Sequence, residues 1–574
     1  MSTTELNITK SKLAIILIAV FSILFLLIIR WNGLSGENYR NIIKSDGIGY
    51  YNYFPAFING DIANQKENAP FLVKLNSGRI VNKYFVGTAV AMSPFVLPVI
   101  LMENNSSEIT DFYSEYFQKA ISIAALFYLI MGLWAFRKIL ILYDVEPKII
   151  AFSLFALFFG TNLVYYALIE PSMSHVYSFA FISVFVYLVK KVSIEFNGKD
   201  FLLLTISLAL IILIRPINGL IVFFVPFLFV GNKESILGLL KSNIKTIILS
   251  LLILILVLSI QSYVWHAQSG EFIVWSYGNE GFYFLSPRIF DFLFSFRKGF
   301  FLYTPLALLS IIIFAKEYYK ERRVLILSLS FLILIIYFLS SWWNWYYGDS
   351  FGSRVMLEFL GVIILLFALA LNKMKIKSQR ITVVIASVLI FFNLFQSYQY
   401  YYQIIRPFDM TAEKYVYTLN KWGDKNRQIL GGNNDIIQYH KKKPVLIIND
   451  SVDLTKNELS NYIDFEYIIQ AGNLIDYKSS FIKFSCNIAI EQSNLENVYW
   501  QISYHSFKGG EYIAKQFKIN EVPLSLGNSR VNNYTFRLPK PINEHDYYKL
   551  SIINYSEVEF YLSNFKIEII GIID

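Results

Sequence analysis

The chain has 574 residues, of which 55% are hydrophobic and only 16% are charged. Soluble domains average about 45–50% apolar and about 25% charged residues, so this composition excludes an ordinary soluble protein. The net charge is +9, but Lys and Arg gather in short loops between apolar runs, where they report membrane orientation rather than affinity for nucleic acid. The single cysteine, Cys486, excludes an intrachain disulfide, and the sequence has no Cys/His cluster of the kind that binds zinc.

Apolar runs of roughly 15–25 residues recur up to about residue 400 and predict a polytopic α-helical membrane protein. The first run, 13–29, is followed by no cleavage site and is therefore predicted to be a retained helix. Lys10 and Lys12 before it predict a cytoplasmic N-terminus. Ten more spans are predicted, at 118–136, 148–168, 173–189, two within 201–231, 246–264, 300–315, 324–341, 355–371 and 381–399.

Two apolar runs differ from a simple span. Residues 201–231 are too many for one helix across about 30 Å of hydrocarbon, and Arg215-Pro216 divides them into two short spans. Residues 86–102 contain Pro94 and Pro98 and precede an acidic stretch, which predicts a helix at the interface or re-entering the bilayer. They belong to a long first outer segment, 31–116. About eleven spans then place every basic loop inside and the C-terminus outside.

The chain changes character after the last span, so that 1–403 is predicted as the transmembrane domain. Residues 404–442 are predicted as a connector, and 443–574 as a jelly-roll-like β-sandwich domain on the outer side. This prediction depends on short β-branched and aromatic runs between turn residues, at 445–448, 465–470, 481–490, 498–504, 512–519, 534–538, 547–553 and 558–569. Trp500 and Tyr504 either stack on sugar or belong to the core of the sandwich.

Charged residues collect in the segments predicted to lie outside the cytoplasm. Asp46 follows the first span, in the segment 45–51 (SDGIGYY), and its plain alternative is a solvated aspartate in an Asp-Gly turn. Several cations beside few carboxylates predict an anion site, and a phosphate on a lipid is the anion most naturally presented at that depth. A nearby carboxylate can then remove the proton of an acceptor hydroxyl.

Several short motifs follow one another in order. After Asp46 come 82–88 (NKYFVGT) with 93–95 (SPF), 160–162 (GTN) with 170–175 (EPSMSH), and 342–347 (WWNWYY) with 348–354 (GDSFGSR). In these motifs the chain resembles, over about residues 1–400, the polyprenyl-phosphate-sugar-dependent glycosyltransferases of the C-type (GT-C) fold, such as bacterial protein O-mannosyltransferases and lipid A aminoarabinose transferases. Two positions differ from the family pattern: Gly47 stands where many relatives have Glu, and Val86 where proline is frequent.

The resemblance implies a role for each candidate residue. Asp46 is implied as the catalytic base. Lys83 is implied to face the lipid phosphate, and the further candidates for binding that phosphate are Arg297, Arg354 and Arg288. The candidates for binding the sugar or the acceptor are Tyr50, Tyr51, Glu170, His175, Asp349 and Trp345.

Each of these residues also has a structural alternative. Lys83, Arg354 and Trp345 can anchor helices at a membrane interface. His175 on an apolar span can be a hydrogen-bonded structural histidine. Glu170 and Asp349 can pair with arginines, and Tyr50 and Tyr51 can pack beneath a cleft rather than line it.

The resemblance implies an inverting glycosyltransferase of the bacterial inner membrane that moves a hexose or pentose from a polyprenyl phosphate to a hydroxyl of a lipid, glycan or protein. The implied partners are this donor, the acceptor and membrane lipids, with no nucleic acid. No cofactor is predicted, and a divalent metal is left open without support from the residues. The open alternatives are a transporter or flippase for a lipid-linked saccharide, a ligase with a lipid diphosphate donor, and a sugar-binding membrane receptor.

Overall fold

The chain divides into two compact units, Met1–Tyr400 and Tyr401–Asp574. The computed structural model describes residues 3–32, 38–63, 69–104, 111–232, 235–278, 280–406, 410–423, 426, 444–452, 457–459, 463–477, 479–490, 498–505, 511–518, 530–538, 541, 543–554 and 560–572. Most of the connector predicted at 404–442 lies outside the described residues. Within that segment, helix Ala412–Thr418 is capped by Thr411, whose side chain accepts a hydrogen bond from the Lys414 N–H.

The regular secondary structure in the described part of the first unit is helical apart from one small hairpin. Its first half contains Thr3–Phe25, which continues as the π-helix Leu26–Asn32, and then the 3-10 helix Asn38–Asn41, Asp46–Tyr51, Tyr53–Ile58, Gly87–Asn104, Glu115–Leu142, Pro147–Phe159, Leu163–Leu168, His175–Ile194 and Gly198–Ile214. The hairpin pairs β1 (Leu72–Lys74) with β2 (Ile80–Asn82) in antiparallel register.

The second half of this unit continues in the same way. Its helices are the 3-10 helix Pro216–Phe224, Val225–Leu228, Ile236–Ser242, Ile244–Ser269, Ile289–Phe294, Phe300–Tyr303, Pro305–Tyr318, Arg322–Ser340, the 3-10 helix Arg354–Phe359, Leu360–Lys373 and Ile376–Tyr401.

Seven segments among the described residues are long and apolar enough to cross a membrane: Lys10–Asn32, Glu115–Leu142, His175–Ile194, Ile244–Ser269, Arg322–Ser340, Arg354–Lys373 and Ile376–Tyr401. Each coincides with a predicted span. The chain is therefore a multi-pass membrane protein by the length and composition of its helices, as predicted.

The four other predicted spans coincide with shorter or interrupted helices. Pro147–Phe159 ends at Gly160 and resumes as Leu163–Leu168, and Gly198–Ile214 ends before Arg215-Pro216. Pro216 and Pro305 each stand at the first position of the helix that follows, where the missing N–H costs no hydrogen bond. Eleven crossings remain a prediction, because these interruptions leave seven segments of full length in the part of the chain that the structure describes.

The helix Gly87–Asn104 corresponds to the run at 86–102 that was predicted to lie at the interface or to re-enter the bilayer. It contains Pro94 and Pro98. Ala89, Met92 and Val96 are buried, at the spacing of one helical face. Leu97 and Leu101 on the other side are exposed and apolar, as a helix face in contact with lipid would be.

The second unit is a sandwich of two antiparallel sheets. Its strands are β3 (Pro444–Val452), β4 (Asn457–Leu459), β5 (Ile463–Gln470), β6 (Ser479–Ile490), β7 (Val498–His505), β8 (Glu511–Lys518), β9 (Arg530–Leu538), β10 (Tyr547–Asn554) and β11 (Phe560–Ile572). One sheet has the order β5-β10-β7-β8 and the other β3-β11-β6-β9, with β4 beside β11. Apart from the short β4, the first strand pairs with the last, the second with the next to last, and so on inward, which is the pairing of a jelly roll.

Each of the eight predicted strands coincides with one of these strands. The missed strand β4 has only the three residues Asn457–Leu459, too few for a period-two pattern. The predicted fold class, a polytopic α-helical membrane protein with a C-terminal β-sandwich, is therefore confirmed.

The two sheets of the sandwich share one hydrophobic core. Trp500 and Tyr504 belong to it, together with Phe484 and Phe565 from the opposite sheet. Trp500 is fully buried. The core alternative for these two aromatic residues therefore holds, and the alternative in which they stack on sugar does not.

Cys486 provides a test of this core, because the only thiol of the chain is buried among these aromatic residues. We expect Trp500→Ala to destabilise the sandwich by about 3–5 kcal/mol through the cavity it leaves. The rate at which a maleimide labels Cys486 in the folded protein should then rise at least tenfold. Trp422→Ala is the matched control, because Trp422 is 69% exposed, and equal labelling rates in the two variants would contradict the shared core.

Candidate functional site

The centre of the candidate site is an ion pair between Asp46 and Arg354. Arg354 Nη2 lies 2.6 Å from Asp46 Oδ2, although the two residues are 308 positions apart in the sequence. The Arg354 side chain is 12% exposed and that of Asp46 is 31% exposed. The carboxylate is therefore held by a buried cation but can still be reached from outside.

The charges around Asp46 keep its carboxyl group ionised. Burial by itself would raise the pKa of Asp46, but the charges of Arg354 and Lys83, with hydrogen bonds from Tyr84 and Arg354, outweigh burial and lower that pKa to about 2. The carboxylate is thus a weak proton acceptor while Arg354 remains in contact with it.

Close packing positions the helix Asp46–Tyr51. A Cβ atom on Gly47 would lie 2.1 Å from Ser172 Oγ, so this position has no room for a side chain. The Ser172 hydroxyl in turn donates to the Ile42 carbonyl at 2.8 Å. Gly47, which differs from the family pattern, is therefore explained by the approach of this helix to the 170–175 segment. Ser45, just before the helix, has a φ of 51°, a strained backbone conformation for a residue other than glycine.

Lys83 and Tyr84 follow strand β2 and bring a second cation to the site. Lys83 Nζ lies 3.4 Å from Glu280 Oε1. The Asn82 side chain donates to the Gly49 carbonyl at 2.8 Å and accepts from the Tyr84 N–H at 3.0 Å, which ties this segment to the helix that carries Asp46. Burial, and then the charge of Asp46, raises the pKa of Tyr84, so its hydroxyl stays protonated.

Arg354 is positioned by the loop 341–353. Tyr347 in this loop has a φ of 55°. The buried Lys298 donates to the Ser350 carbonyl, and the Arg297 guanidinium lies 3.5 Å from the centre of the Tyr346 ring. The pair Arg297-Lys298 therefore contacts the loop that precedes Arg354, with Lys298 as the more buried of the two residues.

A second buried ion cluster joins Arg215, His175 and Glu358. Glu358 Oε1 lies 3.0 Å from Arg215 Nη1 and 2.9 Å from His175 Nδ1. Glu358 is 1% exposed and His175 is 3% exposed. His175 is thus in contact with an acidic and a basic side chain of this chain. This agrees with the alternative in which it is a hydrogen-bonded structural histidine.

Tyr50 lies between the two ion clusters. Its hydroxyl is 3.2 Å from Ser174 Oγ, next to His175, and its ring centre is 4.5 Å from that of Tyr84. Burial raises the pKa of Tyr50, and the charges of Arg215, Asp46 and Arg354 all act on its hydroxyl. Tyr277 and Tyr347 are also close to Arg215. Burial raises the pKa of both tyrosines, and the charge of Arg215 partly offsets that rise.

The other predicted residues lie in different environments. Tyr51 is fully buried and donates to the Phe112 carbonyl at 2.7 Å, so it packs beneath the site and is corrected from a substrate contact to a core residue. Glu170 pairs with Lys44 at 3.2 Å rather than with an arginine. Arg288 is exposed and faces Asp291 at 3.9 Å, a typical surface pair that gives no support to phosphate binding.

Trp345 and Asp349 lie in the loop before Arg354. The Trp345 ring centre is 5.5 Å from that of Tyr346. Asp349 is exposed, and the strongest charge acting on the pKa of Lys298, which burial lowers to about 7, is that of Asp349. Both residues therefore lie beside the Arg297-Lys298 contact rather than at Asp46.

Four residues of the site were not assigned from the sequence: Tyr84, Arg215, Glu280 and Glu358. Glu358 carried the clearest signal, because a carboxylate within the apolar run 355–371 is unusual in a membrane helix. Arg215 was counted among the cations of the outer face, but no role beyond a helix break was assigned to it. The sequence gives no signal for Glu280, whose partner Lys83 is nearly 200 residues away.

Comparisons with known proteins give a match among solved structures only. No family profile and no curated protein matches the sequence. The solved structure of the arabinosyltransferase EmbB from Mycobacterium smegmatis matches over 86% of this chain and 60% of its own, with 8% identity and a TM-score of 0.34. The chain thus spans less than two thirds of that protein, 60% of its length, and a TM-score this low supports no inference about fold or activity.

We expect Asp46→Asn to destabilise the folded protein by up to about 2 kcal/mol at pH 7, because the folded pKa lies below the ordinary value of 3.8. A lowered pKa stabilises the fold above pH 4 and this contribution is lost as the pH falls towards 2. The difference in thermal unfolding between wild type and Asp46→Asn should therefore fall to about half at pH 3. Asp61→Asn, at an exposed aspartate, should show no such difference at either pH, and a constant difference for Asp46→Asn would contradict the ion pair.

Proposed function

We propose that the protein is a membrane-embedded glycosyltransferase that moves a sugar from a polyprenyl-monophosphate donor to a hydroxyl of a lipid, glycan or protein acceptor. The Asp46–Arg354 ion pair is the observation that carries this proposal. It combines a carboxylate that can be reached from outside with a guanidinium of the shape that binds phosphate.

The reaction begins when the donor phosphate binds Arg354 and separates it from Asp46. The acceptor oxygen then attacks the anomeric carbon, its proton passes to Asp46, and the bond from that carbon to the phosphate oxygen breaks. The electron pair of this bond stays on the phosphate, where Arg354 and Lys83 stabilise the added charge. Loss of Arg354 as a neighbour makes the Asp46 carboxylate a stronger base at the step that needs one.

The balance of charge favours a monophosphate donor. Lys83, Arg354 and Arg215 are each already paired with a carboxylate, namely Glu280, Asp46 and Glu358. A phosphodiester with one negative charge needs to displace only one of these carboxylates, and Asp46 is the most exposed of the three. A diphosphate with two charges would need a second carboxylate to move, which the buried Glu358 opposes.

The location proposed for the site follows from the donor and from the basic loops. A polyprenyl chain remains in the bilayer while its phosphate reaches Arg354. The positively charged loops predict that the N-terminus is cytoplasmic and that the sandwich lies in the periplasm of a bacterial cell. The order of the motifs supports a GT-C arrangement of the helices.

The proposal is tested with purified protein, synthetic prenyl-monophosphate sugars and a cell-envelope extract as the source of acceptor. We expect release of prenyl phosphate by the wild type and a loss of 10²- to 10⁴-fold in Asp46→Asn, because a general base contributes about that much. Asp61→Asn is the matched control, because Asp61 is exposed, and it should retain full turnover. Full turnover by a folded Asp46→Asn variant, or activity only with prenyl-diphosphate sugars, would contradict the proposal.

The transfer of Arg354 from Asp46 to the phosphate predicts two different pH profiles. The profile of kcat/KM for the donor follows the donor-free protein, in which the Asp46 pKa is about 2, so Asp46 contributes no fall in rate down to about pH 4. The profile of kcat follows the loaded protein, in which the phosphate replaces a cation beside Asp46 and raises its pKa. We expect the acid limb of kcat at least about one pH unit higher. Identical limbs in both profiles would show that Arg354 stays on Asp46.

A further inference from the structure

Arg215 occupies a break between two helices. Gly198–Ile214 ends before it, and Pro216 begins the 3-10 helix Pro216–Phe224. The backbone of Arg215 is extended, with φ −151° and ψ 109°. Its side chain leaves the helix axis at this point and is 17% exposed. A cation at a helix break within an apolar run needs an anionic partner, which can be a residue of this chain, a ligand or both.

Glu358 and His175 hold one corner of the Arg215 guanidinium. Nη1 donates to Glu358 Oε1 at 3.0 Å and approaches His175 Nδ1 at 3.2 Å. The same Glu358 oxygen lies 2.9 Å from His175 Nδ1. An ionised carboxylate only accepts, so His175 Nδ1 carries its proton towards Glu358 and does not accept from Arg215. Glu358 therefore receives two donors and fixes both side chains.

The rest of the Arg215 guanidinium has no partner of its own in the described part of the chain. Its hydrogen bonds there are made through Nη1, and neither Nη2 nor Nε is sealed in the interior. An arginine presents five donors in a planar fork, so most of this fork remains able to bind an oxyanion. Glu358 balances the positive charge of Arg215 but contacts only the Nη1 side of its guanidinium.

Arg215 lies close to the Asp46 site. The hydroxyl of Tyr50 is 3.2 Å from Ser174 Oγ, and His175 is the next residue along the chain. The Lys83 segment reaches the same place through Gly87, where a Cβ atom would lie only 2.3 Å from the Leu213 carbonyl carbon. The end of the helix before Arg215 is therefore packed directly against the segment that carries Lys83.

We propose that Arg215 is a further ligand-binding residue of this site, which contacts the phosphate of the lipid-linked donor through Nη2 and Nε while Glu358 and His175 hold it in position. This inference rests on the proposed function and adds a division of roles to it. Arg354 leaves Asp46 and binds the phosphate instead. Arg215 stays paired with the Glu358 carboxylate and contacts the phosphate with the donors that face away from Glu358. Glu358 and His175 are positioning residues, because they act through Arg215.

The test measures binding of farnesyl phosphate, a short prenyl monophosphate, to the purified full-length protein by titration calorimetry at about pH 5, where the monoester carries close to one negative charge, as the phosphodiester donor does. The double variant Arg215→Gln/Glu358→Gln removes both charges and leaves no unpaired buried carboxylate, so it should fold. We expect its Kd for farnesyl phosphate to rise about 10- to 100-fold, the range for a hydrogen bond to a charged group. Arg215→Lys keeps the charge but loses the fork, and its Kd should rise about three- to tenfold.

The controls separate the phosphate from the lipid chain and from the general charge of the protein. Arg79→Gln removes an exposed cation and should leave the Kd unchanged within twofold. Farnesol should bind equally to all variants, and inorganic phosphate should show the same order of variants as farnesyl phosphate.

The outcomes of this test are distinct. A double variant or an Arg215→Lys variant that binds farnesyl phosphate as tightly as the wild type overturns the role of Arg215 and leaves the proposed function standing. Failure of the wild type to bind farnesyl phosphate at all overturns the proposed donor class, and the role of Arg215 with it.

Discussion

The ion pair between Asp46 and Arg354 is the contact on which the rest of the site depends. Its two segments are separated by 308 residues, so it forms only after the helical unit has folded. The helix Asp46–Tyr51 reaches it by packing on Ser172 without a side chain at position 47. Arg354 reaches it from a loop that Lys298 holds through the Ser350 carbonyl. These two packing contacts hold Asp46 and Arg354 against each other, which separately solvated charges at the surface would not need.

Ion pairing explains how the helical unit tolerates its buried charged side chains. The pairs are of two kinds, which differ in how exposed the carboxylate is. Removing an ion from water costs several kcal/mol, which attraction offsets only when the geometry is good and the remaining hydrogen bonds are made. Glu358 meets this condition with two donors and almost no exposure, so its separation from Arg215 is costly. Asp46 keeps contact with the outside, so that water or a substrate can replace Arg354. Under the proposed function, the carboxylate that can change partner is the one that accepts the proton.

The sequence was sufficient to predict most of the fold and to single out three charged residues that the structure brings to one region. Long apolar runs identify helices because only a helix satisfies its backbone in lipid, and alternating β-branched and aromatic residues identified eight strands of the sandwich. Asp46, Lys83 and Arg354 stood out because they are charged and lie in ordered motifs. Glu280 was missed because its partner Lys83 is far away in the sequence. Glu358 was missed although a carboxylate within an apolar run is unusual, because its partners Arg215 and His175 are also distant. Tyr51 was assigned to the substrate together with Tyr50, because both follow Asp46 in one motif, but adjacent residues of a helix point in different directions.

The charged residues of the candidate site lie at the ends of helices and of a strand. Arg215 lies where Pro216 ends one helix and begins another, and Arg354 begins a 3-10 helix before Leu360–Lys373. Asp46 begins a short helix, and Lys83 follows the end of β2. Helix interiors satisfy their own backbone and leave little room for a charged side chain in lipid, whereas helix ends allow side chains to converge from several directions. One of the interruptions that keep predicted spans from full length, at Arg215-Pro216, therefore places a cation of this kind, paired with Glu358.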